Sequence, residues 1–333
     1  MPVYDGAATL EECLAALVAS TLPGDEIIVV DDGSTDSSAD RATAAGVRVV
    51  RLPGNRGPAA ARNAGARIAR GDVLLFVDAD VVVAADVVAR VRATLAARPE
   101  IAAMFGSYDD RPRAQSVVSQ YRNLLHRWVH QQGSPEAFTF WAGCGAVRRA
   151  AFVEVGGFDE RAWRWSIEDI ELGYRLRGAG HRILLDKDLA CTHLKRWTLV
   201  SMLRTDLTAR AIPWTRLILE SPGAARDLNL TVAQRCSVAL VGIALMAAVL
   251  ALRWPAVLSV GIAALAGVVA LNRDFYAFLA DRGGAGFALA SIPLHVLYFV
   301  CSGLGFAYAS IGHRLGVRAP SGPGIPSSAT RPP

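Results

Sequence analysis

Val73-Leu74-Leu75-Phe76-Val77-Asp78-Ala79-Asp80 is an apolar run that ends in two carboxylates one residue apart. Five residues rich in Val, Leu and Phe, bounded by Gly71-Asp72, predict a strand buried on both faces. In an open α/β sheet, ligands bind beyond the carboxyl ends of the strands, which is where Asp78 and Asp80 emerge. Carboxylate oxygens are hard ligands and suit Mn²⁺ or Mg²⁺ shared with a substrate phosphate. Taken alone, Asp80 serves equally well as a strand end and the cap of a following helix.

Upstream of this run, Leu10 to Ala19 has helical spacing, Thr21-Leu22-Pro23-Gly24 breaks it, and Glu26 to Val30 reads as a second buried strand. That strand ends in Asp31-Asp32-Gly33-Ser34-Thr35-Asp36. The acidic residues and Gly turn mark a sheet-to-helix junction, or one carboxylate accepts the imide N–H of a uracil ring. Val47 to Val50 is a short strand. Asn55 to Gly65 opens a helix with Pro58 near its first turn, where a missing N–H costs nothing. Arg62 on that helix can point back toward the strand ends, and its fixed donors suit a phosphate or a base carbonyl. Met1 to Gly6 begins in a loop with no signal peptide ahead of it. A parallel sheet should begin with a strand, so the first strand is expected to be missing.

Downstream, Asp86 to Ala97 predicts a helix with Val87, Val88, Val91 and Leu95 on its apolar face, and Ile101 to Gly106 a strand. Arg113 to Gln132 is helical and carries His126 and His130 one turn apart, a zinc-capable spacing without a third ligand. Phe138 to Trp141 runs into Ala142-Gly143-Cys144-Gly145, either a tight turn or a place where a ligand approaches the backbone. After the turn Gly156 to Glu160, a helix starts at Ser166. Its Glu168 and Asp169 serve the helix dipole or take a proton from an acceptor hydroxyl. His193 follows another predicted strand and precedes the basic, aromatic Lys195-Arg196-Trp197.

Of 333 residues, 52% are hydrophobic and only 20% charged, with a mean hydropathy of +0.30, too apolar for one ordinary soluble domain. The excess lies in three runs, Cys236 to Leu252, Trp254 to Leu271 and Phe287 to Ile311, each near the roughly 20 residues that span a bilayer. Arg253-Trp254-Pro255 is a hairpin-tight link between the first two. Ahead of them Leu203, Leu207, Ile212, Trp214, Leu217 and Ile218 interleave with Arg204, Arg210 and Arg216, an interfacial amphipathic pattern interrupted near Pro213. The net charge of +5 comes mostly from Arg, much of it between Arg196 and Arg235. That position favours an anionic membrane face over nucleic acid, for which there is no motif. By the positive-inside rule the domain before these runs is cytoplasmic, in a multi-pass protein of the inner cell membrane. Three spans put the tail outside, whereas His313, Arg314 and Arg318 favour the inside, so the sequence leaves the tail's side open. From Ala319 onward, Pro, Gly and Ser predict disorder. Five cysteines without C-x-x-C pairing read as reduced cytosolic thiols.

In order, Pro2-Val3-Tyr4, Val30 to Asp36, Arg62-Asn63, Asp78-Ala79-Asp80, the Gly143 loop, Gly156 to Glu160 and Glu168-Asp169 resemble the family 2 glycosyltransferases, inverting enzymes with the A-type glycosyltransferase fold. The resemblance covers about residues 1 to 200. It implies an α/β, Rossmann-like nucleotide-diphospho-sugar transferase domain over 1–200, with a parallel-rich sheet and its motifs at one edge. An interfacial segment at 201–232, an α-helical membrane region at 233–312 and a tail at 313–333 complete the expected organisation. The resemblance further implies a UDP- or GDP-sugar donor contacted by Tyr4, Asp31, Asp32, Arg62 and Asp78, and a Mn²⁺ or Mg²⁺ ion on Asp80 and His193. Asp169 is implied as the base. Trp141, Gly143, Cys144, Glu168, Arg196 and Trp197 are implied on the acceptor side. His193 to Trp197 looks like the Q-x-x-R-W motif of polysaccharide synthases with His replacing Gln, which weakens processive synthesis. Relatives carry an apolar strand before P-V-Y, so the true start is expected upstream of Met1. The expected activity is transfer of a sugar to a hydroxyl of a lipid-linked or polysaccharide acceptor. Two other readings remain: a polyprenyl-phosphate glycosyltransferase, whose phosphate acceptor needs little base assistance, and a non-catalytic membrane scaffold with a relic domain. The intact carboxylates at 78, 80, 168 and 169 speak against the scaffold.

Overall fold

A computed structural model describes residues 1–161, 166–221 and 231–316. The described residues form two compact units, one from Met1–Arg113 with His130–Lys195, the other from Ala114–Val129 with Arg196–Arg318.

In the first unit, β1 (Pro2–Val3), β2 (Ile28–Asp31) and β3 (Arg48–Arg51) make a parallel sheet in that order, with Val3 opposite Asp31 and Val30 opposite Val50. Helices α1 (Ala7–Ser20), α2 (Ser38–Ala44) and α3 (Pro58–Ile68) connect these strands and lead to the next sheet. That sheet contains β4 (Val73–Val77), β5 (Val81–Val83), β6 (Ile101–Tyr108), β7 (Glu136–Ala137), β8 (Cys144–Arg148) and β9 (Arg182–His193). Its order is β4-β8-β6-β9-β5, with β7 added on β9. Only β6 and β9 run parallel; the other pairings are antiparallel. The expected parallel-rich sheet is therefore confined to β1–β3. A strand buried on both faces looks the same in sequence whichever way its neighbour runs.

All eight residues of β6 are buried, as an apolar central strand requires. Val77, Val81, Val87, Val91, Leu95 and Met104 pack in one core cluster, so the apolar face read for α4 (Val87–Ala97) is the face that goes inward. Residues 81–83 were expected to lead directly into a helix, but three consecutive β-branched valines form β5 instead. Among the described strands β1 pairs only with β2, and β4 only with β8. A cavity of about 680 Å³ is bounded in part by Ile28 and Val30 of β2 and Leu74 and Phe76 of β4.

In the second unit, α5 (Val117–Gln132) contributes its residues up to Val129, and α8 (Leu199–Arg204), a π-helical stretch (Thr205–Ala211) and α9 (Ile212–Glu220) follow one another. Pro213 falls in the first turn of α9, so the expected interruption is a change of helix type rather than a break. Between these units in sequence lie α6 (Arg149–Glu154) and α7 (Glu168–Gly178) of the first unit. Next come α10 (Val232–Ala251), α11 (Leu258–Leu271) and α12 (Arg273–Arg314). Among the described residues two helices, α10 and α12, are long and apolar enough to cross a membrane by length and composition. The middle run of the expected three is the shorter α11, 14 residues long. Gly284, with φ of 81°, breaks the 42-residue α12. Asn272 donates to Ser237 Oγ at 2.9 Å and to Val268 O at 2.8 Å, which satisfies a polar group buried between apolar helices. Residues 222–230 of the expected interfacial segment, Arg318 and the tail from Ala319 lie outside the described residues.

Candidate active site

Two short strands place the ends of the D-x-D run. Val81 of β5 pairs with His193 of β9, and the Leu194 N–H donates to Asp80 O at 2.8 Å. This pairing brings His193 Nε2 to 3.4 Å from Asp80 Oδ2. Burial works to raise the Asp80 pKa, but the hydrogen bond and charge of His193, with Lys195 behind them, hold it below the usual carboxylate value. Asp78 is fixed from two sides: its N–H donates to Gly143 O at 3.1 Å, and its Oδ1 accepts from Arg62 Nη2 at 2.7 Å. Trp141 lies so close over Gly143 that a Cβ there would sit 2.4 Å from the indole, which explains the small residue.

Arg62 reaches this point because of how α3 begins. Asp32 accepts the backbone N–H groups of Arg56 at 2.9 Å and Gly57 at 2.7 Å, anchoring the turn that leads into Pro58. Asp31 accepts from Ser34 N at 3.0 Å and lies 3.5 Å from Arg51 Nε. Both carboxylates are buried, whereas Tyr4 is exposed. Arg62 itself is buried and bridges two carboxylates, Asp78 and, through Nη1 at 2.5 Å, Glu168. Its neighbour Asn63 donates to Phe158 O at 2.8 Å and Glu160 Oε1 at 2.9 Å, and accepts from Phe158 N at 2.9 Å. The R-N pair thus joins the Gly156–Glu160 turn to the strand-end site.

Helix α7 starts at a backbone outlier. Ile167 precedes it with φ of 54°, a left-handed conformation that a β-branched residue rarely adopts. Glu168 and Asp169 follow; Glu168 is buried and Asp169 half-buried. Asp169 Oδ2 accepts the Ala142 N–H at 3.1 Å, and Oδ1 accepts the Ile170 N–H at 2.8 Å. Burial pushes the Glu168 pKa up to about 7 against the pull of Arg62. The Asp169 pKa is also raised, by burial first, although Arg62 and its two backbone donors oppose the rise.

Asp78, Arg62, Glu168, Asp169 and the Trp141–Gly143 loop are therefore linked by direct contacts, and Asp80 and His193 form a pair beside them. Other expected residues lie elsewhere. Cys144 was expected on the acceptor side, but it is wholly buried in the core cluster with Val77 and Met104, because it opens β8 opposite Val77. Arg196 and Trp197 belong to the second unit. There Trp197 is buried, its N–H donates to Ser119 Oγ at 2.7 Å, and Arg122 lies 5.6 Å over its ring while pairing with Asp206 at 2.6 Å. His130 packs edge-on to Phe105 and Trp141. Among the described residues no group of three or more His, Cys, Asp or Glu gathers as a metal cage. Sequence reasoning missed Tyr108, whose ring stacks on His193 at 4.5 Å and meets Trp141 edge-on at 4.9 Å. Its only signal was an aromatic residue just past a buried strand run.

Residues 1–156 match the family model described as glycosyl transferase family 2, and residues 126–193 match one described as N-terminal domain of galactosyltransferase. Validoxylamine A glucosyltransferase of Streptomyces hygroscopicus subsp. jinggangensis is 33% identical over 216 residues, 54% of this chain and 51% of that protein. Poly-beta-1,6-N-acetyl-D-glucosamine synthase of Staphylococcus aureus is 25% identical over 222 residues, 64% of this chain and 52% of that protein. The chain thus spans about half the length of these curated relatives. In structure it resembles the mannosyltransferase PcManGT of Pyrobaculum calidifontis, solved with GDP-Man and Mn²⁺, with a TM-score of 0.59 and 22% identity, covering 92% of this chain and 85% of that one. The first unit accordingly has the Rossmann-like A-type glycosyltransferase fold, and residues 1–156 are similar to the family 2 glycosyltransferases.

Proposed function

We propose that this chain is a membrane-anchored, metal-dependent, inverting glycosyltransferase that moves a sugar from a UDP- or GDP-sugar to a hydroxyl of a lipid-linked or polysaccharide acceptor. The observation that carries the reading is the Arg62 bridge, which sets the strand-end Asp78 next to Glu168 and, beside it, Asp169. Carboxylates in two different electrostatic settings then meet in one place. Asp80 stays ionised and, with the His193 nitrogen, would hold Mn²⁺ or Mg²⁺, whose charge offsets that growing on the leaving diphosphate. Asp169 has its pKa raised toward the range in which a carboxylate accepts a proton well near neutral pH.

The chemistry of the chain's own groups follows from this arrangement. Asp169, oriented by the Ala142 and Ile170 N–H groups, takes the proton of the acceptor hydroxyl as its oxygen attacks the anomeric carbon. The C–O bond to the diphosphate breaks on the opposite face, so one displacement inverts the centre. General-base help of this kind contributes about 10² to 10⁴ in rate. The two long apolar helices support anchoring in the inner membrane with the domain on the cytoplasmic side, where sugar nucleotides are available.

Incubating membranes that contain the protein with labelled nucleotide sugars, and extracting lipid and polysaccharide, tests the reading. Label in either fraction, dependent on Mn²⁺ or Mg²⁺, is the expected result. Label confined to a charged polyprenyl-phosphate sugar would move the acceptor from hydroxyl to phosphate. No transfer from any donor would leave a scaffold.

A further inference from the structure

We propose that Arg62 is a positioning residue for Asp169, acting through Glu168; this rests on the glycosyltransferase reading above. Both terminal nitrogens of Arg62 are committed, Nη2 to Asp78 and Nη1 to Glu168, and its side chain is only 5% exposed. Its guanidinium also lies 5.5 Å over the Phe158 ring, which closes another approach. A planar fork held on two carboxylates fixes both geometry and charge.

What this fork secures is the start of α7. Ile167 is held in a left-handed conformation, where its Cβ crowds the following carbonyl. Strain of that kind persists only where surrounding contacts over-determine it. Two ties do so here, Arg62 to Glu168 and Ala142 N–H to Asp169. They act on adjacent residues in a helix, so their side chains cannot move independently. Glu168 is consumed as the strut, which leaves Asp169 as the carboxylate available for chemistry. Without Arg62, Ile167 would relax, α7 would lose its first turn, and Asp169 would leave the Trp141–Gly143 loop. Arg62 thereby ties the donor-side carboxylate Asp78 to the base.

Hydrogen exchange on the full chain in detergent tests this in the wild type, Arg62→Gln, Glu168→Ala and the double variant. Amides of Ile170 to Tyr174 should exchange about tenfold faster or more in each single variant, with no further gain in the double, because both changes cut one tie. Amides of β6 should keep their rates. Equal acceleration in β6, additive effects, or unchanged rates in α7 would overturn the proposal. A parallel measurement follows UDP release from UDP-glucose and GDP release from GDP-mannose. For whichever the wild type consumes, Arg62→Gln should lower kcat about tenfold or more with donor KM within about threefold, and Arg62→Lys should restore part of kcat. A raised KM at unchanged kcat would make Arg62 a donor contact and sink the idea. If the wild type consumes neither, the glycosyltransferase reading fails, while exchange still decides whether Arg62 holds α7.

Discussion

The carboxylates at the end of β4 and those at the start of α7 are the same chemistry in opposite surroundings. Asp80 retains about a third of its side-chain exposure, faces His193 and Lys195, and has its pKa lowered. Glu168 is buried and shares the Arg62 guanidinium with Asp78, Asp169 beside it is half-buried, and both have their pKa values raised, by desolvation first. Asp80 is held toward its ionised form, whereas Glu168 and Asp169 are held toward their protonated forms. Environments that push the pKa values of neighbouring acids apart separate an electrostatic role from a proton-transfer role. The difference comes from the partners: Asp80 pairs with the imidazole of His193, whereas Glu168 and Asp169 sit side by side where desolvation outweighs the pull of Arg62.

The largest effect should come from removing the proton acceptor. Asp169→Asn keeps size and polarity, so nucleotide-sugar binding should persist while turnover falls by about 10² or more. Near-normal transfer with donor binding verified would erase the contrast and favour a phosphate acceptor. Asp80→Ala should act on binding instead, abolishing the part of UDP or GDP affinity that depends on Mn²⁺. Calorimetry with and without Mn²⁺ reads this directly, and a metal response equal to the wild type would break the comparison from the other side. A smaller effect is expected in pH. Because the folded-state pKa of Asp169 is raised and the base works ionised, kcat should fall as pH drops through a midpoint above about 3.9, the ordinary Asp value. A limb at the ordinary value would place the proton acceptor elsewhere.

Much of this contrast was legible before any coordinates, but unevenly. The strand Val73–Val77 and its two carboxylates were legible because a short apolar run between Gly-Asp and Asp-x-Asp has few alternatives. The role of Glu168 was half legible: two adjacent acids disfavour each other's ionisation, so one needed a partner, and Arg was a candidate. That the partner is Arg62, more than a hundred positions away, is a tertiary fact with no local signature. The same holds for β5. Its pairing with β9 is what carries His193 to Asp80, and sequence places no mark on that register. Cys144 misled because a small residue after Gly143 looks the same whether it faces a ligand or a core. For Trp197, the hold of Ser119 on its backbone and of Arg122 on its ring likewise has no local signature.

The smallest effect is the most specific to the start of α7. Ile167 is 6% exposed, so truncating it to Ala should destabilise the chain by roughly 2–5 kcal/mol through lost burial. In an ordinary helix Gly is worse than Ala by about 0.5–1 kcal/mol, since it has more backbone freedom to lose. At φ of 54° the order should reverse. Ala still carries the Cβ that collides with the following carbonyl in the left-handed region, at about 1–2 kcal/mol, whereas Gly does not. Ile167→Gly should therefore be more stable than Ile167→Ala by about 1 kcal/mol, measured by urea unfolding of the two variants side by side. If Ala were the more stable, Ile167 would not be left-handed in solution. The first turn of α7 would then begin differently, and the buried setting that raises Asp169 and separates it from Asp80 would lose its structural cause.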